Sequence, residues 1–274
     1  MFKVSITIIG NKDILFELYD NIKQYICKPE EKKCEYKGRG NLHVILDSES
    51  PGYYYLMEIS EKYQLHPHVA KWIRYTKTEK ESARYYALDM STPLELEGTK
   101  ARYYGTEYDG GCSHCGIGGN LVSDVLVDRK FIKKTKIGNL FPDIYVTKEI
   151  KELIESNNLT GVSFNHEVKD YRGREMPIFY TLDIHHVLPP MSDSVWLIKA
   201  EGSDSRYDIC GHSVVYLRSD IQYEIEKLVE AFDFNLSSEY VDNYRLQVLI
   251  VSAKVRDIFK KNKLHVGFSP VTII

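Results

Sequence analysis

Residues 143–168 read DIYVTKEIKELIESNNLTGVSFNHEV, and residues 248–271 read VLIVSAKVRDIFKKNKLHVGFSPV. Each stretch opens on a short β-branched run and passes through Thr147 or Ser252 into an amphipathic segment. Each then reaches Asn157 or Asn262 and ends near Phe164 or Phe268. Val146/Val251, Ile150/Val255, Ile154/Phe259 and Leu159/Leu264 are all 105 positions apart, after which the match slips by one. A strand period followed by a helix period, repeated with one offset, implies two similar strand–helix–strand units. Thr147 and Ser252 are the expected N-caps. The asparagines suit helix C-termini, because asparagine tolerates left-handed backbone.

The flanks give an α+β class. Phe2, Val4, Ile6 and Ile8 alternate, as in a strand, and Ile14, Leu15, Leu18, Ile22 and Ile26 follow at helical steps. Strands are expected around 41–47 and 53–59, joined by a turn at Asp47–Gly52. A helix is expected over 79–90, with Ala83, Tyr86, Ala87 and Met90 inward. Tyr180–Leu188 reads as a strand ended by Pro189-Pro190. Residues 220–232 read as a helix with Ile221, Ile225, Leu228, Val229 and Phe232 on one stripe, capped by Ser219 or Asp220. Glycines crowd in after residue 100, which places a boundary near 95. The expected organisation is an N-terminal mixed α/β subdomain over 1–95. A C-terminal α+β domain over 96–274 then holds the repeat and a zinc-ribbon-like knuckle.

Composition narrows the function classes. A net charge of −3 on 274 residues leaves no basic footprint and disfavours a nucleic-acid partner. No run approaches the ~20 apolar residues of a membrane helix. The opening stretch acquires Asp13, Glu17 and Asp20 at once, unlike a signal peptide, so a cytoplasmic location is expected. Five cysteines do not suggest a disulfide scaffold. The 21 tyrosines suit half-buried sheet faces and partner interfaces alike.

The sharpest chemical signal is Cys112-Ser113-His114-Cys115-Gly116, two thiols spaced to hold one zinc ion from a tight turn. Tyr207-Asp208-Ile209-Cys210-Gly211-His212 resembles a second knuckle whose first cysteine has become a tyrosine. Cys112, Cys115 and Cys210, with His212 or His114 as fourth ligand, could hold a structural zinc. The alternative is a ribbon that has lost a ligand and packs without metal. A thioredoxin-like role is disfavoured, because the C-x-x-C does not open a helix after a strand. Cys27 and Cys34 are assigned no role. His66-Pro67-His68 reads as a surface loop. In a strand, His185 and His186 of Asp183-Ile184-His185-His186 face opposite sides and cannot readily share an ion. Nucleophile-elbow, P-loop, zincin and dinucleotide fingerprints are absent from the sequence.

The order C-x-x-C-G, strand–helix–strand, degenerate C-x-x-C-G, strand–helix–strand resembles the double-CXXCG-motif proteins and related immunity proteins of bacterial polymorphic toxin systems. It covers residues 100–274. The resemblance implies a non-catalytic protein that binds and neutralises a cognate toxin. Tyr207 departs from the pattern and leaves the zinc site in question. Two other readings stay open. One is a metal-assisted hydrolase with an open coordination position at Cys112, Cys115 and Cys210. The other is a zinc-ribbon nucleic-acid adaptor.

Overall fold

A computed structural model describes residues 2–26, 40–73, 75–90, 105–112, 118–129, 136–139, 143–199, 215–241 and 246–274. The chain is mixed α+β and forms two compact units. The first holds Met1–Lys77, Val195–Leu197 and Arg218–Asp220, and the second holds the rest. The first unit's N-terminal segment ends at Lys77, and the boundary expected near residue 95 lies outside the described residues.

In the first unit β1 (Phe2–Gly10) is central, with β2 (Gly40–Asp47) and β3 (His68–Ile73) antiparallel on either side. Val4, Ile6 and Ile8 point to one face and meet Leu46, Val44 and Leu42 across the ladder. Helix α1 (Lys12–Ile22) covers that face with Leu15, Leu18 and Ile22, and α2 (Pro51–Lys62) adds Leu56. Asn11 caps α1 by accepting the Asp13 N–H at 2.8 Å. The expected strand over 53–59 is therefore wrong, because these residues belong to α2. Ser50 accepts the Tyr53 N–H at 3.2 Å and Pro51 takes the first helical position, so the helix start outweighs the strand preference of Tyr53-Tyr54-Tyr55. Gly52 is required there, since a Cβ would lie 2.7 Å from the Tyr25 side chain.

The expected helix over 79–90 is also corrected. Helix α3 (Lys77–Ser82) is short, and β4 (Tyr85–Asp89) follows with Tyr86 and Leu88 buried at the strand period. The second unit continues with β5 (Tyr108–Gly110), β6 (Gly119–Leu121), β7 (Val125–Val127) and β8 (Ile137–Asn139). Next come β9 (Ile144–Thr147), α4 (Lys148–Ser156), β10 (Val162–Ser163) and β11 (Glu167–Asp170). The expected strand from Tyr180 is split into β12 (Phe179–Thr181) and β13 (Asp183–Ile184). The remaining strands before the last helix are β14 (Leu197–Lys199), β15 (Val215–Leu217), β16 (Gln222–Tyr223), β17 (Phe234–Val241) and β18 (Leu246–Ser252). Helix α5 (Ala253–Lys261), β19 (Gly267–Pro270) and β20 (Thr272–Ile273) complete the described chain. One sheet runs β7-β11-β12-β9-β8 and another β14-β15-β17-β18-β4-β19.

The helix expected over 220–232 does not form. Gln222 and Tyr223 form β16 instead, and the carbonyls of Ile221 and Tyr223 accept the Thr272 N–H at 2.9 Å and the Ile274 N–H at 3.0 Å. A single 3-10 turn at Ile225–Leu228 follows. Ile221 and Leu228 are buried, whereas Ile225, Val229 and Phe232 are exposed.

The two opening stretches each fold as strand, helix, strand. Thr147 and Ser252 have matching N-cap backbone, φ −71° and ψ 161° against φ −69° and ψ 162°. Ser252 accepts the Val255 N–H at 3.4 Å, while Thr147 makes no such bond. At the other end, the Asn157 and Asn262 amides donate to Leu153 O at 2.8 Å and Ile258 O at 2.9 Å. The left-handed residue comes one position later, at Asn158 (φ 50°) and Lys263 (φ 56°). All eight residues picked out by the 105-residue spacing are buried in one core, with Tyr86, Leu88, Leu182 and Phe234.

Candidate functional site

The described residues on either side of the knuckle sequence are paired strands. Strands β5 and β6 pair Tyr108 with Leu121 and Gly110 with Gly119, and lead to Cys112. Gly110, Gly111 and Gly118 have φ of 69°, 79° and 81°, backbone that a side chain would strain. Cys112 is half-buried, whereas His114, Cys115, Cys210 and His212 lie outside the described residues. Among the described residues, no group of three or more His, Cys, Asp or Glu side chains could hold a metal ion.

The foot of this strand pair is fixed by its own polar groups. The Glu107 N–H donates to Ser123 Oγ at 2.8 Å, and the Val122 N–H donates to Glu107 O at 3.1 Å. The strand leading toward the degenerate knuckle has the same foot. The Trp196 N–H donates to Ser219 Oγ at 2.8 Å, and the Arg218 N–H donates to Trp196 O at 2.9 Å. Ser123 and Ser219 each donate onward to the carbonyl of the following aspartate, at 3.2 and 3.3 Å.

A cavity of about 670 Å³, open to solvent, is lined by Thr106, Glu107, Tyr108, Asp109 and Val122. The Tyr108 hydroxyl donates to Asp143, whose carboxyl is pushed up to about 6. Burial is the main cause, and the negative charge of Asp183 adds to it. The Tyr108 bond and the nearby His166 pull the other way. Asp183 accepts the Asn165 N–H at 3.0 Å. A carboxyl that titrates near 6 beside a groove can exchange a proton at neutral pH. Sequence reading missed Asp143. Its signal was present, because the position 105 residues on is the apolar Val248.

The histidines take separate partners. His185 Nε2 lies 2.7 Å from Ser163 Oγ, and His186 Nδ1 lies 2.9 Å from Asn235 Oδ1. Both lie just past the end of β13, and they turn to different partners. The Ser163–His185 contact has the form of a nucleophile–base pair, but Ser163 and Asp183 are partners in the β10–β13 ladder, and that placement accounts for it. Ser163 Oγ also accepts the Asn165 amide at 2.8 Å. His66 and His68 are both exposed. No helix among the described residues is long and apolar enough to cross a membrane. The chain matches no known family model and no curated protein.

Proposed function

We propose that the chain is a non-catalytic binding protein whose partner is a toxin protein that it neutralises. One observation carries the reading. The strand pair leading to Cys112 and the strand leading toward Cys210 are anchored by the same backbone-to-serine hydrogen bonds, at Glu107/Ser123 and Trp196/Ser219. Two similar local supports, each beside one of the two cysteine-bearing segments, suit a protein that presents two knuckles. The shared N-cap and C-cap backbone of α4 and α5 adds to it, and we take the strand–helix–strand units as copies of one ancestral unit. Zinc, held by Cys112, Cys115, Cys210 and His212, would stiffen the knuckle ends. A net charge of −3 suits a basic partner, because opposite charge raises the association rate.

The test is co-expression with the product of the adjacent gene. A complex that survives gel filtration, with relief of the growth arrest that product causes, is the expected result. A housekeeping neighbour that is not retained on the purified chain defeats the reading. Elemental analysis of untagged protein decides the zinc: near one equivalent supports the site, and none shows it to be vestigial.

A further inference from the structure

Tyr85-Tyr86-Ala87-Leu88-Asp89-Met90 and Phe179-Tyr180-Thr181-Leu182-Asp183-Ile184 are one pattern, 94 residues apart. The structure uses them in one way. Tyr85, Tyr86 and Ala87 pair with Ser252, Val251 and Ile250, and Phe179, Tyr180 and Thr181 pair with Thr147, Val146 and Tyr145. Farther along, Asp89 pairs with Gly267 and Asp183 with Ser163. Each strand therefore lies between the two strands of a strand–helix–strand unit, or against both in turn. The partner is the unit of the other half in both cases: β4 serves β18 and β19, and β12–β13 serves β9 and β10.

The correspondence extends well past these strands. The parallel pair β7–β11 matches the parallel pair β16–β20, with Leu126 opposite Lys169 and Gln222 opposite Thr272. Tyr171 N–H donates to Val127 O at 2.9 Å, and Ile274 N–H donates to Tyr223 O at 3.0 Å. Hairpin β8–β9 matches β17–β18, with Ile137 opposite Val146 and Phe234 opposite Val251. Thr147 N–H donates to Lys136 O at 2.9 Å, and Ser252 N–H donates to Asp233 O at 3.0 Å. Even the side-chain contact that fastens each strand is repeated. Lys151 of α4 stands over the Tyr180 ring at 4.3 Å, and Arg256 of α5 stands over the Tyr86 ring at 4.6 Å.

We infer that residues 85–171 and 179–274 are tandem repeats that have exchanged their first strands, so that each completes the sheet of the other and the two are latched into one folding unit. This extends the copied-unit reading from the strand–helix–strand segments to the whole repeat, and does not depend on the partner or on zinc. Loop closure makes the exchange accessible. Once both repeats stand side by side, either first strand can reach either vacant site, and the connecting segments differ little in closure entropy. The consequence is mechanical. Neither repeat can open its central strand without uncovering the core of the other.

Two measurements on the full chain test this. Ala87 faces Ser269 across the ladder, and the residue of the first repeat equivalent to Ser269 is Asn165. The cysteine pair Ala87→Cys with Ser269→Cys should cross-link on mild oxidation, read by peptide mapping, and Ala87→Cys with Asn165→Cys should not. The reverse outcome, or equal linking of both pairs, overturns the exchange. Hydrogen exchange supplies the second readout. Tyr86→Ala should loosen α5 at least tenfold more than α4, and Tyr180→Ala should do the opposite. Loosening confined to the helix of the same repeat rejects the latch. A variant too unstable for exchange is replaced by Arg256→Gln or Lys151→Gln, which remove the same contacts more gently. Success or failure of these tests leaves toxin binding to be decided by its own experiment.

Discussion

Residues 137–139 with 144–163, and residues 234–241 with 246–270, hold one backbone design with two different fillings. In the first, Gly138 lies opposite Tyr145 and the tyrosine ring covers the glycine, so a Cβ there would sit 2.6 Å from the ring. In the second, Asn235 lies opposite Ile250, and its buried amide spans Phe232 O at 2.8 Å and Ile250 O at 3.2 Å. Lys151 in the first is Arg256 in the second, which also donates to the backbone carbonyl of Glu81 at 2.6 Å and of Lys80 at 3.3 Å. Asp143 in the first is Val248 in the second. The features that persist are the N-cap backbone, the asparagine bonds at the helix ends and the inward apolar positions. Those fix where chain elements start, stop and face. The features that drift are the contacts that fill a given space, and a core accepts more than one filling of equal volume.

The strongest way to break the comparison is to empty equivalent core positions. Phe259 and Ile154 are 0% and 1% exposed. Phe259→Ala should cost about 4 kcal/mol and Ile154→Ala about 3 kcal/mol in urea unfolding, by the usual cavity penalties. An effect below about 1 kcal/mol at either would show that the two helices do not share one core. Gly138→Ala comes next. Its Cβ must displace the Tyr145 ring, at about 2–3 kcal/mol. Adding Tyr145→Ile, the residue type of the second copy, should recover a good part of the loss, and no recovery would mean that the fillings are not interchangeable.

A pH titration isolates Asp143. Its folded-state value of about 6 lies above the ordinary 3.8, so the folded protein holds this proton more tightly than the unfolded chain does. The resulting stability is complete below pH 3.8 and disappears as pH rises through about 6. The effect is on the order of 2–3 kcal/mol. Asp170 acts with the opposite sign. The Arg174 guanidinium holds it well below its usual range, so its contribution is lost only as pH falls below about 4. Urea midpoints should therefore decline from pH 4.5 to pH 7, and Asp143→Asn should flatten that slope. An unchanged slope in the variant would assign it to other groups. The smallest expected effect is at the caps. Ser252→Ala should cost about 1 kcal/mol and Thr147→Ala only a few tenths, because only Ser252 bonds its helix N-terminus. Equal losses would show that Thr147 caps in solution.

What sequence reading reached in this chain, and what it missed, follows from locality. The 105-residue offset found both strand–helix–strand segments, because strand and helix periods are local and the buried positions are apolar in both copies. It missed the strand partners, although YYALDM and FYTLDI stand in plain view. A six-residue strand carries little information by itself, and the 94-residue offset differs from 105 because loops between elements absorb insertions. The helix expected at 220–232 failed for a tertiary reason. Its apolar spacing suits a helix, but the carbonyls of Ile221 and Tyr223 bond Thr272 and Ile274 in a parallel ladder, which no local pattern announces. The strand expected over 53–59 failed on a local competition that was legible: a serine cap followed by proline outweighs three tyrosines. At the candidate site, Cys112 and its glycines were readable from spacing, while Asp143 owes its raised proton affinity to burial and to the negative charge of Asp183, which only the folded chain brings together.

By itself, the order of amino acids determined the α+β class, the ends of the two paired helices and which of their faces turn inward, because caps and periodicity act over a few residues. Only the tertiary structure decided which strand completes which sheet, since two near-identical strands satisfy two near-identical vacancies and the choice between them rests on the path of the whole chain.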